Sequence, residues 1–134
     1  MLFRSFQFSD TLLGRLAREP GIVAIKNNPG PPGDLAGHFA ARRALFPPPF
    51  SVGISGDWAV TGALLHGADV WYSVLGGILP KICMRIVTAA RQGNGGEAQR
   101  LNGLLEPMWA LFRQFSGLRV VYALADLLGL TCWS

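Results

Sequence analysis

The sequence predicts an α/β fold built around a parallel sheet, and two observations indicate it. Helical and strand-like segments alternate three times over residues 1–92, joined by short loops, and only helical patterns follow. The strand-like runs are rich in apolar residues on both faces, as in parallel strands that are covered on both sides. Each helix with its strand is therefore interpreted as part of a βα unit, in which consecutive strands lie parallel.

The first helix and strand contain a lysine of chemical interest. Ser9 or Asp10 can cap a helix whose apolar positions end before Pro20. The strand over residues 21–26 has three β-branched residues and ends in Lys26, before a loop rich in proline and glycine. We expect this strand to be buried on both sides. Lys26 either marks the solvent end of the strand or, with a lowered pKa, acts as a nucleophile toward carbonyls.

The second helix and strand follow the same plan. Asp34 is a good N-cap, and Arg42 and Arg43 are expected on the outward face of the helix. Residues 47–49 are three prolines, which prevent the helix from continuing because proline lacks the amide hydrogen that a helix needs. The second strand is expected over residues 50–54.

The third unit begins at Asp57, which is expected to cap a helix that runs through Leu65. Gly67 supplies the left-handed residue that ends this helix. The third strand is expected over residues 68–74, where valine and aromatic residues are concentrated.

The remainder of the chain is predicted to be helical. Pro80 is suited to the first turn of a helix that reaches about residue 92, and residues 93–96 form a glycine-rich link. A long amphipathic helix is expected over residues 97–115, and a last helix over residues 118–128.

The composition argues against several classes of function. Half of the residues are hydrophobic, 15% are charged and the net charge is +4, so a core can be buried. The basic residues are scattered, which gives nucleic-acid binding no support. Neither the two cysteines, Cys83 and Cys132, nor the two histidines, His38 and His66, have metal-ligand spacing. We therefore expect no metal, no cofactor, and a reducing compartment, the cytoplasm.

One apolar stretch superficially suggests a membrane span. Residues 58–80 carry only His66 and Asp69 as ionisable side chains. Asp69 lies near the middle, where a bilayer tolerates a carboxylate least, and the stretch divides into a helix-like and a strand-like half. We interpret it as protein core and expect no membrane association. Residues 1–5 include no apolar segment long enough for a signal peptide.

Three segments, taken together, resemble the dihydrodipicolinate synthase and N-acetylneuraminate lyase family of pyruvate-dependent aldolases. The segments are Gly-Ile-Val-Ala-Ile-Lys at 21–26, Ile-Ser-Gly-Asp at 54–57, and Gly-Ala-Asp-Val-Trp-Tyr-Ser-Val at 67–74. They are similar to the family's sixth, seventh and eighth barrel strands, in that order and spacing. The resemblance implies the C-terminal half of a TIM (β/α)8 barrel, strands 6–8 with their helices, plus the C-terminal helices. Residues 1–92 would be the partial barrel, and residues 93–134 a helical segment of the same domain.

The resemblance also implies roles for individual residues. Lys26 corresponds to the catalytic lysine that forms a Schiff base with the substrate. Gly56 and Tyr72 would lie at the C-terminal mouth of the barrel and bind substrate, although a tight turn and a core position are the simpler interpretations. Arg4 corresponds to an arginine that binds the distal carboxylate of the substrate in many members. Asn27 and its neighbour replace the acidic and small residues that the family commonly has after the lysine.

The function implied is that of a class I aldolase-type lyase acting on pyruvate or another 2-oxo acid as a homo-oligomer. Three parallel strands are too few for a finished sheet, so either another chain completes it or a first half is missing. The family's threonine pair and catalytic tyrosine have no counterpart in these residues. Two alternatives follow: a catalytically incomplete fragment that serves only folding or oligomerisation, and a small α/β binding domain of unrelated descent.

Overall fold

A computed structural model of the chain describes residues 7–30 and 33–131. The described part contains three strands, β1 Ala24–Asn27, β2 Ser51–Ile54 and β3 Val70–Trp71. Its α-helices are α1 Asp10–Leu16, α2 Leu35–Leu45, α3 Val60–Leu65, α4 Pro80–Arg91, α5 Gly95–Leu104, α6 Glu106–Phe115 and α7 Gly117–Leu127.

The three strands form one parallel sheet in the order β1-β2-β3, as predicted. The register pairs Lys26 with Gly53, and Gly53 in turn with Val70. Helices connect successive strands, so the chain has the βα alternation that the sequence predicts. Because the strands are parallel, their C-terminal ends lie side by side at the same end of the sheet.

One face of the sheet packs against helices and forms the main core. Val52 and Ile54 of β2 are fully buried there, and Ile25 of β1 packs against the same cluster. Side chains alternate along a strand, so Lys26 and Gly53 belong to the opposite face. The helices bury further apolar residues against this core, including Phe39, Phe46, Val60, Ala63, Ile86 and Leu101.

The prediction for the first strand was wrong at its start and in its burial. β1 begins at Ala24, and the preceding Ile22 and Val23 are 39% and 68% exposed. The chain is still turning there, because Gly21 has a φ of 89° and the Ile22 amide donates to the Glu19 carbonyl. Within the described residues, helices cover only one face of β1, so the strand is not buried on both sides.

The third strand is shorter than the predicted 68–74. Only Val70–Trp71 pairs in regular register, and the Tyr72 amide extends the ladder with one bond of 2.9 Å to the Ile54 carbonyl. Beyond that point the chain leaves the sheet because the Asp57 carboxylate accepts from the Val74 and Leu75 amides.

Two of the predicted helix caps are confirmed and one is wrong. Ser9 accepts from the Leu12 amide at 3.2 Å, and Asp34 accepts from the Gly37 amide at 3.0 Å. Asp57 instead lies at the start of a short 3₁₀ turn, and its side chain does not cap the helix that follows.

The two arginines of α2 are not simply outward-facing, contrary to prediction. Arg42 pairs with Asp10 of α1 at 2.7 Å. Arg43 pairs with Asp69 at 2.5 Å and also donates to three carbonyl oxygens, those of Phe46, Phe50 and Gly67. Arg43 therefore links the end of α2 to the starts of β2 and β3, since unpaired carbonyls at these loops need donors.

The long helix predicted over 97–115 is two helices, α5 and α6, which meet at Leu105. Pro107 explains the break, because its ring clashes with the carbonyl four residues earlier and it has no amide hydrogen to donate. A second core cluster forms around Trp109, which is fully buried and donates to the Asn102 side chain at 3.2 Å.

Apolar side chains remain exposed on the C-terminal helices. Leu127 is 85% exposed, and other large side chains of the same region are also exposed, namely Leu104, Leu111, Phe115, Leu118, Tyr122, Leu128 and Leu130. These helices therefore hold more apolar surface than the described chain covers.

Candidate active site

Lys26 and Tyr72, both predicted to be site residues, lie together on one face of the sheet. This is the face of Lys26 and Gly53, opposite the helix-covered face of Val52 and Ile54, and we call it the open face. Lys26 is the third residue of β1 and is exposed, and Tyr72 directly follows β3 and is half-buried. The Lys26 Nζ lies 5.9 Å from the centroid of the Tyr72 ring, within the range of a cation–π contact. The simpler interpretation of Tyr72 as a core residue does not describe this position.

Gly53 lies between them on β2 and was not among the predicted site residues. A Cβ atom at this position would lie 2.3 Å from Tyr72 Cε2 and 2.7 Å from Val70 Cγ1, closer than atoms can approach. The absence of a side chain thus leaves room for the Tyr72 ring across β2. A glycine in the interior of a strand was the available signal, because such glycines often mark a close approach.

Gly56 forms a tight turn after β2 rather than a contact with Lys26. Its φ is 90°, which a glycine adopts at least cost, and an added Cβ would lie 2.8 Å from Pro29 Cγ. The neighbouring Ser55 amide donates to the Asn27 carbonyl at 2.7 Å, and its hydroxyl contacts the Asn28 side chain at 3.3 Å. The turn after β2 is therefore tied to the loop that follows Lys26.

Asp57 holds the segment around the end of β3, which includes Tyr72. Its carboxylate is buried and accepts from Trp71 Nε1 at 3.1 Å and from the Ser73 hydroxyl at 3.0 Å. It also accepts from two main-chain amides, those of Val74 and Leu75, at 3.0 and 2.8 Å. A buried carboxylate needs several donors, and here all of them belong to one short segment.

Lys26 has no ion-pair partner among the described residues, and Arg42 lines one of the cavities beside it. The next residue, Asn27, is buried on the opposite face, and its Nδ2 has no hydrogen-bond partner. Arg4 lies outside the described residues.

Other candidate nucleophiles and ligands are placed elsewhere. Burial raises the pKa of Cys83 to about 11, so this thiol is protonated at neutral pH. Burial and the Arg42 charge lower the pKa of His38, which favours its neutral form. Residues 7–30 and 33–131 hold no group of three potential metal ligands from His, Cys, Asp and Glu. In the same residues, no helix is long and apolar enough to cross a membrane.

One sizeable cavity lies away from this site. It has a volume of about 690 Å³ and lies beside Ile22, Val23 and Phe50, at the start of the sheet. Its lining is mainly apolar, with Arg18 the charged residue among those that line it. Barrel enzymes have their active sites at the C-terminal ends of the strands. The end of the sheet that carries Lys26 is therefore the better candidate for an active site, although the cavities beside Lys26 are smaller than this one.

No protein-family model matches the sequence. The chain is 31% identical over 116 residues to 4-hydroxy-tetrahydrodipicolinate synthase from Methylococcus capsulatus, a match that covers 86% of this chain and 38% of that protein. The crystal structure of dihydrodipicolinate synthase from Agrobacterium tumefaciens matches with a TM-score of 0.90 and 47% identity. That match covers 94% of this chain and 42% of the other, so the chain spans about two fifths of the length of these relatives. By sequence and by fold, the chain is a relative of the dihydrodipicolinate synthases and has the architecture of the C-terminal half of their barrel, as its three strand-end segments predicted.

Proposed function

We propose that this chain carries the lysine end of a Schiff-base-forming lyase, similar to dihydrodipicolinate synthase, that acts on pyruvate or another 2-oxo acid. The single observation that supports it best is the position of Lys26. It lies at the C-terminal end of a parallel strand, on the open face of the sheet, with an aromatic ring 5.9 Å away and no ion pair within the described residues.

The chemistry begins with the unprotonated amine of Lys26. Its nitrogen attacks the carbonyl carbon of the 2-oxo acid, and loss of water leaves a protonated imine. This cation withdraws electrons, so the adjacent methyl group loses a proton to a base and becomes an enamine. The enamine carbon then attacks an aldehyde, and hydrolysis of the new imine regenerates the amine. In the reverse direction the same steps cleave a carbon–carbon bond.

Other residues would bind rather than react. Tyr72 would form a wall beside the imine, and the Gly56 turn would shape the mouth of the site. Arg4 would bind a distal carboxylate, as the family resemblance implies. The family's proton-shuttling tyrosine has no counterpart here, so we expect the 134 residues alone to form the imine with little or no turnover. Homo-oligomeric assembly and a cytoplasmic location are part of the same proposal.

The second candidate is a unit that serves only folding or oligomerisation. The exposed apolar residues of α6 and α7 favour it, together with two sheet edges, on β1 and β3, that no strand in the described residues covers. This candidate predicts self-association without any reaction at Lys26. Light scattering at micromolar concentration tests the association, and a single monomeric species that unfolds cooperatively would contradict it.

Borohydride trapping distinguishes the two candidates. The chain is incubated with pyruvate and sodium borohydride, both alone and joined behind the complementary part of the Agrobacterium tumefaciens relative, which completes the barrel. Peptide mass mapping should find the reduced adduct at Lys26, and Lys26→Ala should abolish it. Lys81→Ala is the matched control, because Lys81 is the only other lysine and lies on α4. Preferential labelling of Lys81, or no labelling in either protein, would overturn the proposal.

A further inference from the structure

We propose that Gly53 is a positioning residue, whose missing side chain seats the Tyr72 ring against the cation formed at Lys26. The inference rests on the proposed imine at Lys26 and adds a contact that would stabilise it. The ring would stabilise a planar iminium, so the pair Gly53 and Tyr72 would favour formation of the imine at Lys26.

The first step is the register of the three strands. Lys26 on β1 pairs with Gly53 on β2, and Gly53 pairs with Val70 on β3, so these residues form one row across the sheet. Tyr72 is two residues beyond Val70 and therefore points to the same face. From this position its ring can reach Lys26 only by lying across β2.

The second step is the space above Gly53. A Cβ there would lie 2.3 Å from Cε2 and 2.8 Å from Cδ2 of Tyr72, so any side chain would displace the ring. The Tyr72 backbone cannot easily move instead, because its amide donates to the Ile54 carbonyl at 2.9 Å. Tyr72 is also followed by Ser73, whose hydroxyl donates to the buried Asp57. The absence of a side chain at Gly53 thus permits the observed position of the ring.

The third step is the difference between the two cations that Lys26 can carry. The ammonium is compact and strongly hydrated, and the Lys26 side chain is exposed, so the ring gains little from it. An iminium is planar and less strongly hydrated than an ammonium. Guanidinium groups share these two properties and stack well on aromatic faces. The ring therefore favours the iminium over the ammonium, and imine formation with it.

Ring placement is tested by an experiment that needs no substrate. Reductive ¹³C-methylation labels the amino terminus and the two lysines, Lys26 and Lys81, so the NMR spectrum is simple to assign with Lys81→Ala. The Lys26 methyl signal should show an upfield ring-current shift that Lys81 lacks. The shift should persist in Tyr72→Phe and disappear in Tyr72→Leu and Gly53→Ala. An unshifted Lys26 signal in the parent chain, or a shift that survives in Gly53→Ala, would overturn the inference.

Imine formation is tested by borohydride trapping over a range of pyruvate concentrations. In Gly53→Ala and Tyr72→Leu the half-saturating concentration should rise about two- to fivefold, the size expected of an exposed cation–π contact. The double variant should resemble Tyr72→Leu, because both changes remove the same contact. An unchanged half-saturation in both single variants would overturn the inference, whereas a parent chain that is never labelled, even in the completed barrel, would overturn the proposed function instead.

Two further variants separate positioning from a general loss of structure. Gly53→Ala also crowds Val70, so Gly53→Ala with Val70→Ala relieves that contact and should still lose the ring-current shift. Gly14→Ala is the matched glycine control, since a Cβ at Gly14 meets no atom within 4 Å. It should leave both the shift and the half-saturation unchanged. Recovery of the full shift in the Gly53 and Val70 double variant would show that Val70, rather than Tyr72, makes Gly53 necessary.

Discussion

The two faces of the sheet differ in what covers them and therefore in what they contribute. On one face, Val52 and Ile54 are fully buried beneath helices. On the other, Lys26 is exposed and its Nζ lies 5.9 Å from the centroid of the Tyr72 ring. Because side chains alternate along each strand, residues adjacent in sequence serve opposite roles. The comparison indicates that the stability of the fold and the proposed chemistry at Lys26 can be changed separately, by substitutions at neighbouring residues.

The largest expected effect is on the helix-covered face. Ile54→Ala should lower the free energy of unfolding by about 2–5 kcal/mol, because it removes buried methyl groups and leaves a cavity. Lys26→Ala, on the open face, should change it by about 0.5 kcal/mol or less. Denaturant unfolding followed by circular dichroism measures both. Equal losses in the two variants would show that the faces are not distinct.

An intermediate effect is expected at Asp57, which is buried and accepts from the segment at the end of β3. Asp57→Asn keeps the shape of the side chain but replaces one acceptor oxygen by an NH2 group. This group would face the N–H and O–H donors that now bind the carboxylate, and it cannot accept from them. We expect a loss of about 1–3 kcal/mol in the free energy of unfolding. Asp10→Asn is the control, because Asp10 forms a surface ion pair worth about 0–1 kcal/mol. A control loss as large as that of Asp57→Asn would contradict the role of burial.

The smallest expected effect is a pH dependence from Asp69. Burial alone would raise the pKa of Asp69, but the hydrogen bond from the Val52 amide and the Arg43 guanidinium together lower it. A carboxyl group with a lowered folded-state pKa stabilises the fold above its unfolded pKa, about 3.9, and this contribution is lost as the pH falls through the folded value.

Unfolding midpoints measured between pH 7 and the acid range should therefore decline less steeply below about pH 4 in Asp69→Asn than in the parent chain. Arg43→Gln should flatten the same part of the profile, because it removes the charge that favours the carboxylate. A profile that is unchanged in both variants would exclude this pair as a source of acid sensitivity.

The architecture could be predicted from the sequence because its signals are local. Apolar runs of strand length, with Ser9 and Asp34 as helix caps, predict the βα order without knowledge of contacts. The break between α5 and α6 also has a local signal in the sequence, Pro107. The prediction missed it because the apolar periodicity continues across residues 97–115.

The site could be predicted only in part, because its geometry depends on contacts between strands. Lys26 and Tyr72 were identified as candidates, and their proximity follows from a register that the sequence does not state. Gly53 has no side chain, so only its neighbours reveal what it does. Asp57 was interpreted as a cap because it precedes a helix, whereas its donors lie 14 to 18 residues later in the chain.

The most direct test of the account is ¹³C NMR of the protein with pyruvate labelled at its carbonyl carbon. We expect a protein-bound imine signal in the parent chain or in the completed barrel. The signal should be lost in Lys26→Ala and kept in Lys81→Ala, because only Lys26 lies beside Tyr72 on the open face. An imine signal that persists in Lys26→Ala, or that appears in neither protein, would contradict the assignment of the chemistry to this face of the sheet.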